Sequence, residues 1–302
     1  MIRWLSWFFR GWHDDPDGDQ EAQGSAMAAE PEAIAPAAPV HRLQRHDTMN
    51  AQALRIESDA RTHEGLVRKL NEDSFFVHEG SGLWAVADGM GGHEHGEWAS
   101  AKLVEVLGAL QLPEEFDAAC TMIADGVREA NAAIYEESTR RGKQMGSTIV
   151  AMFVRGTNYC ILWVGDSRAY RLRGNALERL SKDHSQVQEM VDRGLLQPED
   201  AVGHPMGHVL ARAVGVRPEV DVDMVEGVIE AGDAFLLCSD GLHGYVAEAE
   251  IAHMLGRGSP QDASGQLVER TLAQGAPDNV TVIAISISEP TLLTLPDPVD
   301  AR

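Results

Sequence analysis

Two apolar runs of this sequence are separated by only three residues, and this link constrains the fold more than any other feature. The runs are STIVAMFV at residues 147–154 and NYCILWVG at residues 158–165, and RGT joins them. Both runs are rich in β-branched and aromatic side chains, which favour strands. Because the link has the length of a hairpin loop, the sequence predicts that the two strands pair in antiparallel fashion.

Further runs of the same kind occur along the chain, and stretches of helical periodicity lie between some of them. The strand-like runs are SFFV, LWAVA, RAYRLR, VDVDMVE, AFLLCS and NVTVIAISI. The helical stretches are EWASAKLVEVLGAL, EFDAACTMIADGVREANAAIYEESTRR and QDASGQLVERTLAQ. Two long helices follow the early strands and one precedes the last strand. This distribution predicts an α+β fold in which helices cover sheets, rather than a regular βαβ winding.

The composition changes near residue 53, which predicts a domain boundary. Residues 13–40 are rich in Ala, Pro and acids and lack large apolar side chains, so we expect residues 1–52 to be a flexible N-terminal segment. One compact domain then covers residues 53–289, and residues 290–302 form a flexible tail. The aromatic stretch MIRWLSWFFRGW at residues 1–12 has two interpretations: it is a short interfacial membrane helix, or it is a disordered end or a docking peptide for another protein.

The charge and the cysteine content limit the partners and the compartment. A formal net charge of −22 argues against nucleic-acid binding, which needs clustered Lys and Arg. No apolar run approaches the roughly 18 residues of a membrane-spanning helix. Cys120, Cys160 and Cys238 are widely spaced and odd in number, which predicts reduced thiols in a cytoplasmic protein. If residues 1–12 act as an interfacial helix, the protein lies at the inner face of the membrane.

Acidic residues recur at the ends of the predicted strands. Three follow a strand (Asp88, Asp166 and Asp240), Asp278 precedes one, and the pair Glu72 and Asp73 stands at the entrance of another. A single acid at a strand end is ordinary turn chemistry. Several carboxylates, however, share a cleft only when cations neutralise them. Hard oxygen ligands without cysteine favour Mg²⁺ or Mn²⁺.

Eight motifs together give the chain a family resemblance. They are VRKLNEDSFF, VADGMGGHEHGE, GSTIVAM, VGDSRAYRL, LSKDHS, LARAVG, LLCSDGL and PDNVTVI. In this order, from about Arg61 to Ile287, they resemble the metal-dependent type-2C (PPM family) serine/threonine protein phosphatases in their bacterial form. The resemblance implies an α-β-β-α sandwich of two antiparallel sheets flanked by helices. It also implies a centre of two Mn²⁺ or Mg²⁺ ions at one edge of the sandwich.

The resemblance assigns the residues of the first motifs to the metal centre. Asp88 matches the carboxylate that bridges the two ions, and the carbonyl of Gly89 matches a backbone ligand. Glu72 resembles a ligand of one ion. Its neighbour Asp73 resembles either a direct ligand or a residue that holds metal-bound water.

The remaining roles follow from the later motifs and from one arginine. Asp240 matches a ligand of the other ion, and Asp278 is the metal ligand of the PDN motif. Asp166, with Asp240, corresponds to the position where bacterial members can hold a third, weaker ion. Arg68 matches the arginine that grips the substrate phosphate. Met90 stands where eukaryotic members carry a histidine proposed to protonate the leaving group, so this chain lacks that donor.

The implied activity is the hydrolysis of phosphoserine and phosphothreonine in proteins by a hydroxide held between two metal ions. The implied substrates are phosphorylated proteins, namely those of a serine/threonine kinase, and the expected state is a monomer. The alternative is a catalytically silent phosphatase fold that binds phosphoproteins or regulates a partner. Loss of the metal acids would favour this alternative, and none of them is lost.

Two other readings fail on individual residues. A cysteine-dependent phosphatase needs an arginine six positions after its cysteine, and positions 126, 166 and 244 are Gly, Asp and Gly. HPMGH at residues 204–208 has the spacing of a zinc-binding histidine pair, but Pro205 breaks the helix that would align the two rings. In the resembling family this stretch belongs to a mobile flap beside the active site, and we interpret it as flap sequence.

Overall fold

The computed structural model describes residues 54–92, 94–201 and 203–290, and in these ranges the chain forms eleven strands and seven helices. The strands are β1 (Arg55–His63), β2 (Asp73–His78), β3 (Leu83–Met90), β4 (Gly146–Ser147), β5 (Ile149–Arg155), β6 (Asn158–Val164), β7 (Arg168–Arg173), β8 (Ala176–Arg179), β9 (Asp223–Val228), β10 (Ala234–Cys238) and β11 (Val280–Ser288). The helices are α1 (Glu94–Gly108), α2 (Phe116–Arg141), α3 (Gln186–Asp192), α4 (Pro198–Ala201), α5 (Asp240–His243), α6 (Glu248–Leu255) and α7 (Pro260–Ala273). The predictions for the N-terminal segment, including the aromatic stretch 1–12, and for the tail after residue 290 fall outside these ranges.

The strands form two antiparallel sheets, as the resemblance implied. One sheet has five strands in the order β1-β11-β10-β7-β8. The other has six, with β2-β3-β5-β6-β9 as its path and β4 paired to β3. Every strand pair in both sheets is antiparallel.

The hairpin between the two central apolar runs is confirmed. β5 ends at Arg155 and β6 begins at Asn158, and these two residues are opposite each other in the ladder. Gly156 in the link has a φ of 61°, which is in the left-handed region that glycine adopts without steric cost.

Three apolar clusters show that the molecule has four layers. Between the sheets, side chains such as Trp84, Val150, Phe235 and Ile283 are fully buried. The outer face of the six-stranded sheet packs against α1 and α2, and the outer face of the five-stranded sheet packs against α5, α6 and α7. The order helix, sheet, sheet, helix is the predicted α-β-β-α sandwich. No helix in the described part of the chain is long and apolar enough to cross a membrane.

An edge strand and several short helices were not predicted from the sequence. Strand β1 carries the sequence RIESDARTH, which is largely polar, yet it pairs with β11 over its whole length. It is an edge strand with few fully buried side chains, so it needs few apolar residues. The short helices α3 and α6 were likewise missed, because eight residues or fewer give little periodicity.

Both sheets present strand ends at the same edge of the sandwich. From the six-stranded sheet come the start of β2 and the end of β3, with Asp73 opposite Asp88 in the ladder. From the five-stranded sheet come the end of β10, which Asp240 follows closely, and the start of β11, which Asp278 precedes. Asp166 lies in the connection from β6 to β7, where the chain passes from one sheet to the other.

Candidate active site

Most of the residues that the sequence singled out line one cavity at this edge, with a volume of about 700 Å³. The predicted residues in its wall are Arg68, Glu72, Asp88, Gly89, Asp166, Asp240 and Asp278. Met90, which replaces the histidine of the eukaryotic pattern, is also part of the wall. Residues far apart in the sequence are therefore brought to one place by the two sheets.

Asp73 is the one predicted site residue that does not line the cavity. It is buried behind the cavity wall, and its Oδ2 accepts hydrogen bonds from the hydroxyls of Ser239 at 2.9 Å and Thr281 at 2.7 Å. Its Oδ1 is buried and has no hydrogen-bond partner. A buried carboxylate oxygen without a partner is costly unless a ligand or a water fills the gap. One oxygen of Asp73 thus remains for a cation or for a water on it.

The carboxyl groups around the cavity strongly perturb one another. Burial, and then the charge of Asp73, raise the pKa of Asp88 well above its usual range. Burial also raises the pKa of Asp73 to about 7, and burial and Asp240 together raise that of Asp166 to about 8. The pKa of Asp240 is raised by burial and by Asp278, and its carboxyl group shares a hydrogen bond with Asp88. Such a cluster favours protonation, or a cation that takes the place of the protons.

The donor set fits a hard divalent cation by its chemistry. The side-chain donors are carboxylates, the ligands that Mg²⁺ and Mn²⁺ prefer, and the buried Oδ1 of Asp73 lacks a partner. Within the described ranges, no three acidic, histidine or cysteine side chains converge on a single point. The structure therefore supports the cation site through its donor chemistry and its electrostatics, and not through a preformed cage.

Gly89 and Gly96 have no side chain, and this lets the backbone of β3, the backbone of α1 and the Glu72 side chain lie close to one another. The N–H of Gly89 donates to the carbonyl of Glu72 at 3.1 Å, and a Cβ at Gly89 would collide with the carbonyls of Glu72 and Gly96. A Cβ at Gly96 in α1 would collide with Oε2 of Glu72. Gly96 was not singled out from the sequence, because its contact with Glu72 depends on how α1 packs on β2 and β3.

Asn279 ties the loop before β2 to the start of β11. Its Oδ1 accepts from the N–H of Glu72 at 2.9 Å, and its Nδ2 donates to the carbonyls of Glu64 and Leu70, both at 2.9 Å. From the sequence, Asn279 was only the neighbour of Asp278. The contacts give it the role of a brace that fixes the backbone on both sides of Arg68. The PDN motif was the only signal in the sequence that pointed to it.

Arg68 lies in this braced loop, and its guanidinium reaches the cavity. Its Nη2 donates to Oδ2 of Asp278 at 2.7 Å. The hydrogen bond to Asp278 raises the pKa of Arg68 against the opposing effect of burial. The predicted phosphate-binding arginine therefore contacts one of the predicted metal ligands directly.

The flap histidine His208 belongs to the cavity rim, which supports the interpretation of HPMGH as flap sequence. His208 lines the cavity, and its Nδ1 is 3.9 Å from Oδ2 of Asp240. His204 does not line the cavity; its Nδ1 accepts from the N–H of Met206 at 3.2 Å within the same segment. The two histidine side chains thus have different surroundings.

Comparisons with known proteins point to one family. The family model described as Protein phosphatase 2C matches residues 62–273. The chain is 37% identical over 230 residues to the serine/threonine protein phosphatase PstP of Mycobacterium tuberculosis. This alignment covers 76% of this chain and 44% of that protein. It is 35% identical over 243 residues to the serine/threonine phosphatase stp of Listeria welshimeri, covering 76% of this chain and 95% of that protein.

A solved structure gives a similar result. The catalytic domain of the serine/threonine protein phosphatase PstP in complex with two manganese ions matches with a TM-score of 0.70 at 34% identity. The match covers 78% of this chain and 99% of that one. The present chain thus spans nearly all of a solved catalytic domain but less than half the length of the curated PstP.

Proposed function

This chain belongs to the protein phosphatase 2C family, and we propose that it hydrolyses phosphoserine and phosphothreonine in proteins with Mn²⁺ or Mg²⁺ as cofactor. The observation that carries this proposal is the convergence of Asp88, Asp166, Asp240 and Asp278 with Arg68 on one cavity. Carboxylates alone would repel a phosphate dianion. An acidic cleft of this kind becomes a phosphate site only when cations reverse its local field.

In this proposal the acidic residues bind the cations and Arg68 binds the substrate. Two divalent ions bound by Glu72, Asp88, Asp240 and Asp278, with the Gly89 carbonyl, would supply positive charge and lower the pKa of a bound water towards neutrality. Asp73 would hold a cation or its water through Oδ1, since the hydroxyls of Ser239 and Thr281 fix its other oxygen.

Arg68 would orient the phosphoryl group and neutralise charge that develops on its oxygens. The planar guanidinium fork suits this task because it can donate to two phosphate oxygens at once. About half of its side chain is exposed in the cavity region, so it can turn from Asp278 to a substrate. No side chain of this chain is required to form a covalent bond with the phosphorus.

The silent phosphatase fold remains the alternative function. It would be favoured if a metal acid were absent or turned away from the site, but each predicted acid lies in the cavity wall or directly behind it. The orphaned Oδ1 of Asp73 and the raised pKa values of the cluster also support a site built to hold cations. These features have no use in a module that only binds proteins through its surface.

The cellular setting is part of the proposal. The three free, buried cysteines are consistent with a reducing, cytoplasmic compartment. Phosphoproteins made by a serine/threonine kinase would be the substrates, and the protein would act as a monomer in signalling. Residues 1–12 would hold it at the membrane surface or on a protein partner.

The function is tested by release of phosphate from a phosphothreonine peptide. The full-length protein is assayed in EDTA, and again after addition of excess Mn²⁺ or Mg²⁺. The proposal predicts no turnover in EDTA and recovery with either metal. Inactivity with every divalent metal, in protein that is folded by circular dichroism, would instead favour the silent alternative.

A further inference from the structure

A second cavity of about 340 Å³ adjoins the active-site cavity, and we call it the flanking cavity. Leu210 and Ala211 line both cavities, so the two are separated only by this short stretch of chain. The rest of its wall includes Met190, Leu195, Arg193 and Arg217. The flanking cavity is therefore a direct neighbour of the active site.

The floor of the flanking cavity is held by backbone hydrogen bonds. The N–H of Gln186 at the start of α3 donates to the carbonyl of Val209 at 2.8 Å, and the N–H of Ala211 donates to that of His184 at 2.8 Å. Ser185 caps α3 by accepting from the N–H of Gln188. Residues 209–211, next to the active site, are thus fixed to residues 184–186 at the start of α3.

The wall of the flanking cavity contains two arginines and one acidic residue, Glu189, so it carries a small net positive charge in a chain whose net charge is −22. Arg193 has one weak partner, Glu189, with 3.3 Å between Nη2 and Oε2 and both side chains more than half exposed. Arg217 is exposed and makes no ion pair among the described residues. Its backbone is fixed, because its carbonyl accepts from Nδ2 of the buried Asn131 at 3.0 Å. An exposed guanidinium on a fixed backbone suits the binding of a carboxylate.

We propose that the flanking cavity binds an acidic side chain of the phosphoprotein substrate, on the stretch of chain next to the phosphorylated residue. The proposal rests on the phosphatase function proposed above. Arg193 and Arg217 would bind the carboxylate, while Met190 and the 69% exposed Leu195 would contact its aliphatic stem and neighbouring apolar groups. The two arginines would also offset the repulsion between an acidic substrate and this acidic protein.

The experiment uses phosphothreonine peptides that differ in a single residue, Glu or Gln, placed in turn at each position around the phosphothreonine. The measured quantity is the ratio of kcat/KM for the Glu peptide to kcat/KM for the Gln peptide, with Mn²⁺ present. We expect a ratio of about ten at one position or a few adjacent ones, since each exposed charge pair contributes about threefold. Arg193→Ala and Arg217→Ala should each lower that ratio about threefold. Arg257→Ala, an exposed arginine on the opposite helical layer, is the matched control and should leave the ratio unchanged.

The outcomes separate this inference from the function on which it rests. If wild-type protein turns over the peptides with no Glu preference at any position, or if the preference survives in the double variant R193A/R217A, the inference is wrong while the phosphatase function stands. If no peptide is turned over with any metal, both fail. If the double variant raises turnover of the Glu and Gln peptides equally, the two arginines do not select an acidic substrate, and the substrate assignment is overturned.

Discussion

The guanidinium of Arg68 donates to the carboxylate of Asp278 across 2.7 Å, so the proposed phosphate-binding residue and a proposed metal ligand form one ion pair. The Arg68 side chain is 54% exposed and that of Asp278 is 34% exposed. At such exposure an ion pair contributes at most about 1 kcal/mol. A cation on Asp278 would compete with Arg68 for the carboxylate, and the arginine would then be available to phosphate.

This relationship leads to a prediction for Arg68→Ala. Loss of a charge-assisted hydrogen bond to phosphate should lower kcat/KM for a phosphothreonine peptide by about 10- to 100-fold. Mn²⁺ affinity, measured by calorimetric titration, should stay unchanged or rise slightly, because a competitor for Asp278 is removed. A large loss of Mn²⁺ affinity in this variant would show that the roles of Arg68 and Asp278 are assigned wrongly.

The variant Asp166→Ala distinguishes two possible roles of Asp166, one in a turn and one in a cation site. If it serves only the turn between β6 and β7, Asp166→Ala should change stability by about 1 kcal/mol and leave turnover nearly intact. If it contributes to a third, weaker cation site, turnover should fall by about 10- to 100-fold while two ions remain bound. We expect the second result, because Asp166 is buried in the cavity wall and Met90 cannot donate the proton that the eukaryotic histidine is proposed to supply.

Bound Mn²⁺ and turnover should be measured on the same preparation of this variant. Asp125→Ala, on the exposed face of α2, is the control for loss of a surface carboxylate. If Asp166→Ala binds two ions and keeps wild-type turnover, Asp166 serves only the turn between β6 and β7, and the third cation site is excluded.

Gly96→Ala should damage the metal site although alanine is the better helix former. The added methyl group would collide with Oε2 of Glu72 and push this carboxylate away from the cavity. We expect Mn²⁺ affinity to fall by about tenfold or more. Gly265→Ala in α7 is the matched control, since the atoms nearest to a methyl group there belong to the Arg61 side chain and lie at ordinary contact distance. It should keep Mn²⁺ affinity and gain up to about 1 kcal/mol of stability. Equal Mn²⁺ affinities in the two variants would refute the packing argument.

The buried pair Arg168 and Asp183 should contribute to stability in a pH-dependent way. Arg168 donates to Asp183 through Nε at 2.9 Å and through Nη2 at 2.6 Å. Burial acts to raise the pKa of Asp183, but the hydrogen bonds and charge of Arg168 overcome this and hold the pKa below its usual range. Because the pKa of Asp183 is lower in the folded state than the value of about 4 in the unfolded state, the ionised carboxylate stabilises the fold fully above about pH 4. This stabilisation is lost as the pH falls through the pKa of the folded state.

Asp183→Asn should therefore lower the free energy of unfolding by roughly 3 kcal/mol at pH 7, because Arg168 is left buried without its partner. The difference from wild type should shrink as the pH is lowered below about 4. Urea unfolding at several pH values measures both effects. Asp125→Asn, which removes the exposed pair with Arg128 on α2, should have a much smaller effect at pH 7. A difference for Asp183→Asn that is the same at pH 7 and at pH 3 would contradict the assignment.

The sequence predicted the parts of the molecule that depend on local pattern. Strands such as β3, β5 and β6 are buried on both faces, so their apolar runs are plain in the sequence, and Asp88 at the end of β3 and Asp166 just after β6 mark the site. The order of the motifs then predicted the fold through the resemblance, and the same resemblance is the source of the role proposed for each acid.

What the sequence could not show are contacts between residues far apart in the chain. Ser239 and Thr281 bind Asp73 across separations of 166 and 208 residues, and neither hydroxyl carries a local pattern. The packing of Gly96 on Glu72 and the two arginines of the flanking cavity depend in the same way on tertiary structure. The polar edge strand β1 was missed because its stability comes from β11 rather than from its own sequence.

The most direct test of the metal centre is a titration of metal-free protein with Mn²⁺, in which bound ions and phosphate release are measured in the same samples. Asp88→Asn serves as the comparison, because it removes the charge at the position proposed to be shared by both ions while keeping the size of the side chain. We predict that wild-type turnover appears as two ions bind per chain, and that the folded variant binds fewer ions and is nearly inactive. Full turnover of the wild type with no bound metal, or wild-type turnover in Asp88→Asn, would contradict the account.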